Sequence, residues 1–216
     1  MKSWIIQPPE ILRRFFIKSL WRLPKSKRKK TIALTFDDGP VPEQTPWVLD
    51  LLDEYDIKAT FFCVGDNVRK YPEIFEDIIR RGHTIGNHTF NHIQLFKNSW
   101  KDYSDNIEKC NIVQDHKARY FRAPHGQITP WRAWQITHSL GFERLVFWDV
   151  MPKDYDNRLS PEEVFSNVRN YVRDGSLIVF HDSIKAGDRM RYALKHTIEE
   201  YKSQGWDFVA IDSSLF

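Results

Sequence analysis

Over most of this chain, apolar residues fall into short runs separated by longer amphipathic stretches. The runs at 31–36, 58–64, 83–86, 119–122, 143–148, 176–181 and 206–211 have the length and the β-branched and aromatic content of strands. Between them, at 45–55, 66–81, 101–114, 130–139, 161–173 and 190–203, apolar positions recur every three or four residues, the period of a helix with one face on a core. Boundary residues agree. Ser160-Pro161-Glu162-Glu163 supplies an N-cap, a first-turn proline and two acids at the positive end of a helix. Pro72 opens the second part of the 66–81 stretch. Gly82, Gly141, Gly175 and Gly205 each stand where a helix must end a few residues before the next strand. Helix, glycine and strand repeated in this way predict an α/β fold with parallel strands, in one domain from 31 to 216.

Residues 1–30 read differently, as an extension to that domain. Ile11, Leu12, Phe15, Phe16 and Leu20 have helical spacing, with Arg13, Arg14, Lys18 and Arg22 on the rest of the wheel. This predicts an amphipathic helix over 10–23 that packs on the domain. Contact of residues 10–30 with a membrane surface is the competing reading. The basic run Lys25-Ser-Lys-Arg-Lys-Lys30 reads as a solvated linker and not as a nucleic-acid patch, since the chain's net charge is only +3.

The 216 residues are 41% hydrophobic, 14% aromatic and 28% charged, which supplies one sizeable core and excludes a disordered chain. Cys63 sits in an apolar run and Cys110 on an expected helix, so the two make neither a disulfide framework nor a metal cluster. Gln7-Pro8-Pro9-Glu10 interrupts Trp4-Ile5-Ile6 before a secretory leader builds, and no stretch has the length of a membrane span. A cytoplasmic location is the default expectation. Oligomeric state is not legible.

In parallel βα folds the loops after the strands' C-terminal ends carry the chemistry, and the unusual polar residues gather there. Asp37-Asp38 ends the first strand, followed by Gly39-Pro40. His88-Thr-Phe-Asn-His92 follows the third; histidines four apart share one face of a helical turn and can bind one ion. With a carboxylate they form a set that leaves coordination positions open and suits zinc or another divalent first-row metal. Arg122-Ala-Pro-His-Gly126 follows the fourth strand. Its arginine can hold a carboxylate ionised, and its glycine allows a tight turn whose N–H faces an oxyanion. Trp148-Asp149 follows the fifth strand and His181-Asp182 the sixth. Trp148 and Tyr155 are assigned to the neighbourhood of the site, whereas the helix-face spacing of Trp131 and Trp134 points to packing.

Thr35-Phe-Asp-Asp-Gly-Pro40, His88-Thr-x-x-His92, Arg122-x-Pro-x-Gly126 and the strand-ending His181, in this order, resemble the polysaccharide deacetylase family, also known as the NodB homology domain or carbohydrate esterase family 4. The resemblance runs from about residue 31 to the C-terminus. It implies a distorted, incomplete (β/α) barrel of about seven strands and metal-dependent removal of acetyl groups from N-acetylglucosamine-containing saccharides such as chitooligosaccharide or peptidoglycan. An O-acetyl xylan, a small N-acetylated compound, or a non-catalytic carbohydrate-binding role are the alternatives. By position, Asp37 resembles the general base and Arg122 the residue that pairs with it. Asp38, His88 and His92 resemble the ligands of one divalent ion, zinc in the first place, with cobalt, nickel or manganese possible. His181 resembles the general acid and Asp154 the acid that orients it. The chain departs from the common pattern at His125, where tyrosine is frequent, at Tyr155 in place of tryptophan, at Val179 in place of leucine near the acetyl pocket, and at Met151 in place of an acid. The His125 backbone N–H remains suited to an oxyanion, and these changes bear on substrate preference.

Overall fold

The computed structural model describes residues 3–24 and 29–212. Its centre is β2 (Thr31–Asp37), buried at every position after the first, as a strand in a parallel sheet covered on both faces must be. On one side β2 pairs with β3 (Thr60–Cys63), on the other with β7 (Ser176–His181), both parallel. β4 (Thr84–Asn87), β5 (Tyr120–Phe121), β6 (Arg144–Val146) and β1 (Ser19–Leu20) extend the sheet in the order β1-β6-β5-β4-β3-β2-β7. A two-residue β8 (Asp207–Phe208) pairs with the start of β2. The two ends of the path meet through isolated bridges, Arg22 with Ser176 and Val150 with Ile178. The sheet is thus an incomplete (β/α) barrel, as expected.

The helices are α1 (Thr45–Glu54), α2 (Gly65–Lys70), α3 (Pro72–Arg80), α4 (Trp100–Val113), α5 (Pro130–Ser139), α6 (Pro161–Tyr171) and α7 (Gly187–Ser203). The stretch expected as one helix over 66–81 is two, because Tyr71, held at φ −131° before Pro72, leaves the helical region. α6 begins with a complete capping box between Ser160 and Glu163. Leu34, Phe36, Phe61 and Phe180 are buried in one core with Leu49 and Leu52 of α1 and Leu194 and Ile198 of α7. This packing fixes the strand register, and the register places Asp37 directly opposite His181. No helix among the described residues is long and apolar enough to cross a membrane.

The helix expected over 10–23 is not formed. In its place are a 3-10 helix, Glu10–Phe15, a residue with positive φ, Lys18, and strand β1. Ser19 and Leu20 pair with Leu145 and Val146 of β6, a long-range gain that local periodicity cannot report. Leu20, Trp21 and Leu23 are buried, and the Trp21 ring stacks on Phe147 at 3.9 Å. Residues 3–24 therefore belong to the barrel. Of the basic run read as a linker, residues 25–28 lie outside the described residues; Lys29 pairs with Asp207, and Lys30 lies over the Trp206 ring.

Asp149, grouped by its position with the strand-end chemistry, instead anchors this N-terminal segment. It is fully buried and accepts hydrogen bonds from Arg13 (2.8 Å), Arg173 (2.7 and 3.0 Å) and Ser176 (2.8 Å). Glu10 pairs with the same Arg173 at 3.0 Å. Burial alone would raise the Asp149 pKa, but Arg173, Ser176 and Arg13 hold it below the ordinary carboxylate value. A carboxylate with a depressed folded pKa contributes stability above its unfolded pKa and loses it on acidification. Asp149→Ala is expected to cost about 1–3 kcal/mol near neutral pH, the two arginines being partly hydrated. The gap between wild type and variant, measured by urea unfolding, is expected to narrow as the pH falls through the acid range.

Candidate active site

Asp37 is the last residue of β2 and is buried, and its Oδ1 accepts from Arg122 Nη1 at 2.6 Å. Arg122, just past β5, is itself buried. It donates to Thr35 Oγ1 at 2.9 Å and to the carbonyls of Val146 and Phe147 at 3.2 and 2.9 Å, and its guanidinium lies 4.0 Å over the Phe62 ring. Burial would raise the Asp37 pKa; the charge and hydrogen bond of Arg122, with the charge of His181, outweigh it and bring the pKa below its ordinary value. Asp37 is thereby kept anionic in a nearly dry place.

Asp38, His88 and His92 each offer one ligand atom, and these atoms lie within 4.8 Å of one another. His92 Nε2 is 3.4 Å and His88 Nε2 3.8 Å from Asp38 Oδ1. The Nδ1 of His88 is 2.8 Å from the Arg122 carbonyl, which only accepts, so Nδ1 carries the proton and Nε2 presents its lone pair to the cluster. Burial, the largest influence, moves the His88 pKa down to about 4, so the ring is neutral at physiological pH, as a metal ligand must be. Two imidazoles and one carboxylate converging in this way fit a single divalent ion after small side-chain shifts.

The backbone that presents them is strained. Asp38, Thr89, His92 and His125 all have positive φ, between 57° and 82°, a region non-glycine residues visit rarely and chiefly at functional positions. His88–His92 is therefore not the helical turn that its spacing suggested. It is a loop pinned by Asn87 Oδ1 accepting from Thr89 N–H, Asn106 Oδ1 accepting from Phe90 N–H, and Thr89 Oγ1 accepting from Ile93 N–H. The Asp38 turn is pinned by Asp182, which accepts from Gly39 N–H at 3.1 Å and from Thr45 Oγ1 at 2.6 Å. A Cβ at Gly39 would fall 2.1 Å from Asp182 Oδ2, so only glycine fits. Desolvation pushes the Asp182 carboxyl up to about 8. Its role was not legible beforehand; an acid directly after a buried strand-end histidine was the available signal.

His181, opposite Asp37, donates its backbone N–H to Asp154 Oδ2 at 2.7 Å, and its Nδ1 lies 2.8 Å from Asp154 Oδ1. Asp154 is completely buried. Burial works against an imidazolium here, but the Asp154 charge and hydrogen bond prevail and raise the pKa to about 10. The Tyr155 ring meets the His181 ring edge-on at 5.1 Å.

Asp37, Asp38, His88, His92 and His181 line a cleft of about 790 Å³ with His125, Gly126, Trp148, Met151, Tyr155 and Lys185, and Arg122, Asp154 and Asp182 stand behind them. His125 sits 4.5 Å from the His92 ring, and burial, then the His92 charge, lower its pKa. Gly126 at φ +66° lies against Trp148, where a Cβ would come within 2.7 Å of the indole. Val179 does not reach the cleft; it is fully buried two residues before His181 on β7. Trp131 and Trp134, expected to pack, are exposed and stack on each other at 4.8 Å. Trp4, Ile5, Pro8 and Leu12 also line the cleft. That contribution was missed because the residues touch the site only through the folding-back of the N-terminal segment.

The family model described as polysaccharide deacetylase matches residues 24–145. A peptidoglycan-N-acetylglucosamine deacetylase of Bacillus cereus is 32% identical over 90% of this chain and 92% of its own length. The peptidoglycan-N-acetylglucosamine deacetylase PgdA of Listeria monocytogenes is 34% identical over 88% of this chain, which spans only 40% of that protein. The crystal structure of the Bc1960 peptidoglycan N-acetylglucosamine deacetylase superposes with a TM-score of 0.83 at 31% identity, covering 100% of this chain and 96% of the other. The chain belongs to the polysaccharide deacetylase family.

Because the folded pKa of His181 lies above the unfolded value near 6.5, its contribution to stability is full below that value and is lost as pH rises through about 10. In metal-free protein, nitrogen NMR of the imidazole is expected to show the doubly protonated ring throughout the neutral range. Asp154→Asn should bring its titration to or below the ordinary histidine value, where burial acts unopposed. A wild-type ring already neutral at pH 7 would contradict the coupling.

Proposed function

We propose that this protein is a metal-dependent hydrolase that removes acetyl groups from N-acetylated sugars, with N-acetylglucosamine-containing saccharides as its substrate class. The observation that carries the reading is the placement of Asp37 and His181 opposite each other on adjacent strands, lining one cleft with the Asp38–His88–His92 cluster. One carboxylate is kept anionic by Arg122 and one imidazole is kept protonated by Asp154, which is the division a base and an acid need.

Asp38, His88 and His92 would hold one divalent ion, and their donor set favours zinc, with cobalt, nickel or manganese as alternatives. When bound, such an ion supplies Lewis-acid polarisation of the acetyl carbonyl and lowers the pKa of a bound water. Asp37 accepts the proton of the attacking water, and Arg122 keeps it oriented and charged. The His125 backbone N–H is assigned to the developing oxyanion. His181 delivers its Nε2 proton to the departing nitrogen while Asp154 holds Nδ1. An amine is a poor leaving group without that proton, so a His181 that enters the reaction protonated favours amide over ester cleavage. Acetate and a free amino sugar result.

Acetate release from N-acetylglucosamine oligomers, peptidoglycan fragments and acetylated xylan, on metal-stripped protein with and without restored zinc, tests the proposal. Zinc-dependent release from an N-acetylated class is expected. Stoichiometric zinc binding with no release from any would contradict it. Asp37→Asn should keep the metal and lose about a hundred- to ten-thousandfold in turnover. His88→Ala should instead lose metal, read by elemental analysis; a variant with unchanged metal content would remove His88 from the ligand set.

A further inference from the structure

The cleft has two unlike halves. One holds the acidic and histidine groups already described. The other is walled by the N-terminal segment, through Trp4, Ile5, Pro8, Leu12, Phe16 and Trp21. The segment is held there at several points. The Ile6 carbonyl accepts from Met151 N–H at 2.8 Å, the Ile5 carbonyl from Trp148 Nε1 at 3.4 Å, and Gln7 donates to the Tyr171 carbonyl at 3.0 Å. Arg13 is fixed by Asp149. This wall is therefore built into the site.

Its chemistry is ill-suited to a second sugar ring. A saccharide carries hydroxyls around its whole edge, and each one taken out of water needs a partner. None of these six residues is charged, and none carries a hydroxyl or amide side chain. The Trp21 Nε1 is already committed to Ser19 Oγ at 2.9 Å. Of the polar side chains along the segment, Gln7 turns away to Tyr171, Glu10 pairs with Arg173 and Arg13 with Asp149. Of the flat rings in the wall, Trp21 is stacked on Phe147 and Phe16 packs edge-on against the same ring, which leaves Trp4 beside Ile5, Pro8 and Leu12, and those three have no flat aromatic face. Trp148 and Met151 carry the apolar surface toward the catalytic end, where Met151 lines the cleft. The cleft runs without interruption from Asp37 and His181 to the apolar wall, so an occupant longer than one sugar ring that reaches those two residues can meet that wall.

We infer that the substrate is an acetylated sugar bearing an apolar substituent, and that Trp4, Ile5, Pro8 and Leu12 form the subsite that receives it. This rests on the deacetylase reading for the catalytic half and adds a specificity determinant to it. An alkyl chain and an aryl group share the required chemistry.

The test compares kcat/KM of the zinc-loaded full chain for the methyl, hexyl and phenyl β-glycosides of N-acetylglucosamine. Each methylene buried is worth up to about fourfold. The hexyl or the phenyl glycoside is expected to exceed the methyl glycoside by at least about tenfold, the better of the two telling alkyl from aryl. Trp4→Ala and Leu12→Ser replace residues already partly exposed, and each should bring that ratio down by at least about threefold. A wild-type ratio near one, or a high ratio that neither substitution moves, would overturn the inference. A binding measurement separates this from the catalytic reading. Metal-free protein is titrated with hexyl and with methyl β-glucoside below micelle-forming concentrations, followed by tryptophan fluorescence. If no acetylated glycoside is turned over, the deacetylase reading fails. The apolar subsite then stands on at least tenfold tighter hexyl binding that weakens in Leu12→Ser, and falls if the two glucosides bind alike.

Discussion

The buried ion pair between Arg122 and Asp37 is the contact on which the remainder of the site depends. Taking both charges out of water is costly, and removing either partner of such a pair commonly costs about 3–5 kcal/mol because the other is left stranded. Here all three guanidinium nitrogens donate, to Asp37 and Thr35 on β2 and to the carbonyls of Val146 and Phe147 at the end of β6, and the Phe62 ring of β3 lies against its face. The Arg122 carbonyl fixes the tautomer of His88. One residue thus joins three strands of the barrel, keeps Asp37 anionic and orients the His88 ring. Replacing it with a flexible lysine would supply the charge without the fork.

Strand register does the rest of the positioning. β2 and β7 pair over six consecutive residues, ending at Asp37 and His181. Both strands are buried between core clusters, so Asp37 and His181 are held to the precision of a sheet. The loops between them are held by a different means. Positive φ at Asp38, Thr89 and His92 is accompanied by side-chain acceptors, Asn87, Asn106 and Asp182 among them, whereas the His125 turn is closed by backbone hydrogen bonds of Gly126 and Gln127.

Much of this was legible in the chain. Helix–glycine–strand alternation sets the parallel sheet, and the strand-end positions of Asp37, Asp38, His88, His92, Arg122 and His181 follow once the strands are placed, since a parallel sheet puts all C-terminal ends on one side. What was not legible depended on contacts distant in sequence. The N-terminal stretch has helical spacing, yet Ser19 and Leu20 find backbone partners on β6 and Trp21 finds Phe147. The His-x-x-x-His spacing fits a helix, but Asn87 and Asn106 offer its backbone other acceptors. Asp149 follows a strand end as Asp37 and Asp38 do and differs from them in what it meets, two arginines and a serine. Val179 sits on the right strand but one layer below the cleft.

The N-terminal segment changes what the site is. It supplies β1 at the edge of the barrel, and on the way it walls the cleft. Scaffold and cleft wall are therefore one structure, tied together at Trp148 and Met151.

The division of labour between Asp37 and His181 is tested most directly by comparing an amide with an ester of the same sugar. On zinc-loaded protein, N-acetylglucosamine oligomers and an O-acetylated sugar bearing a good leaving group would be assayed with wild type and with His181→Asn. Loss of the acid should depress amide hydrolysis by about a hundredfold or more while leaving the activated ester within a few-fold of wild type. An equal fall for both substrates, or none for the amide, would contradict the assignment of His181 as the acid that frees the nitrogen.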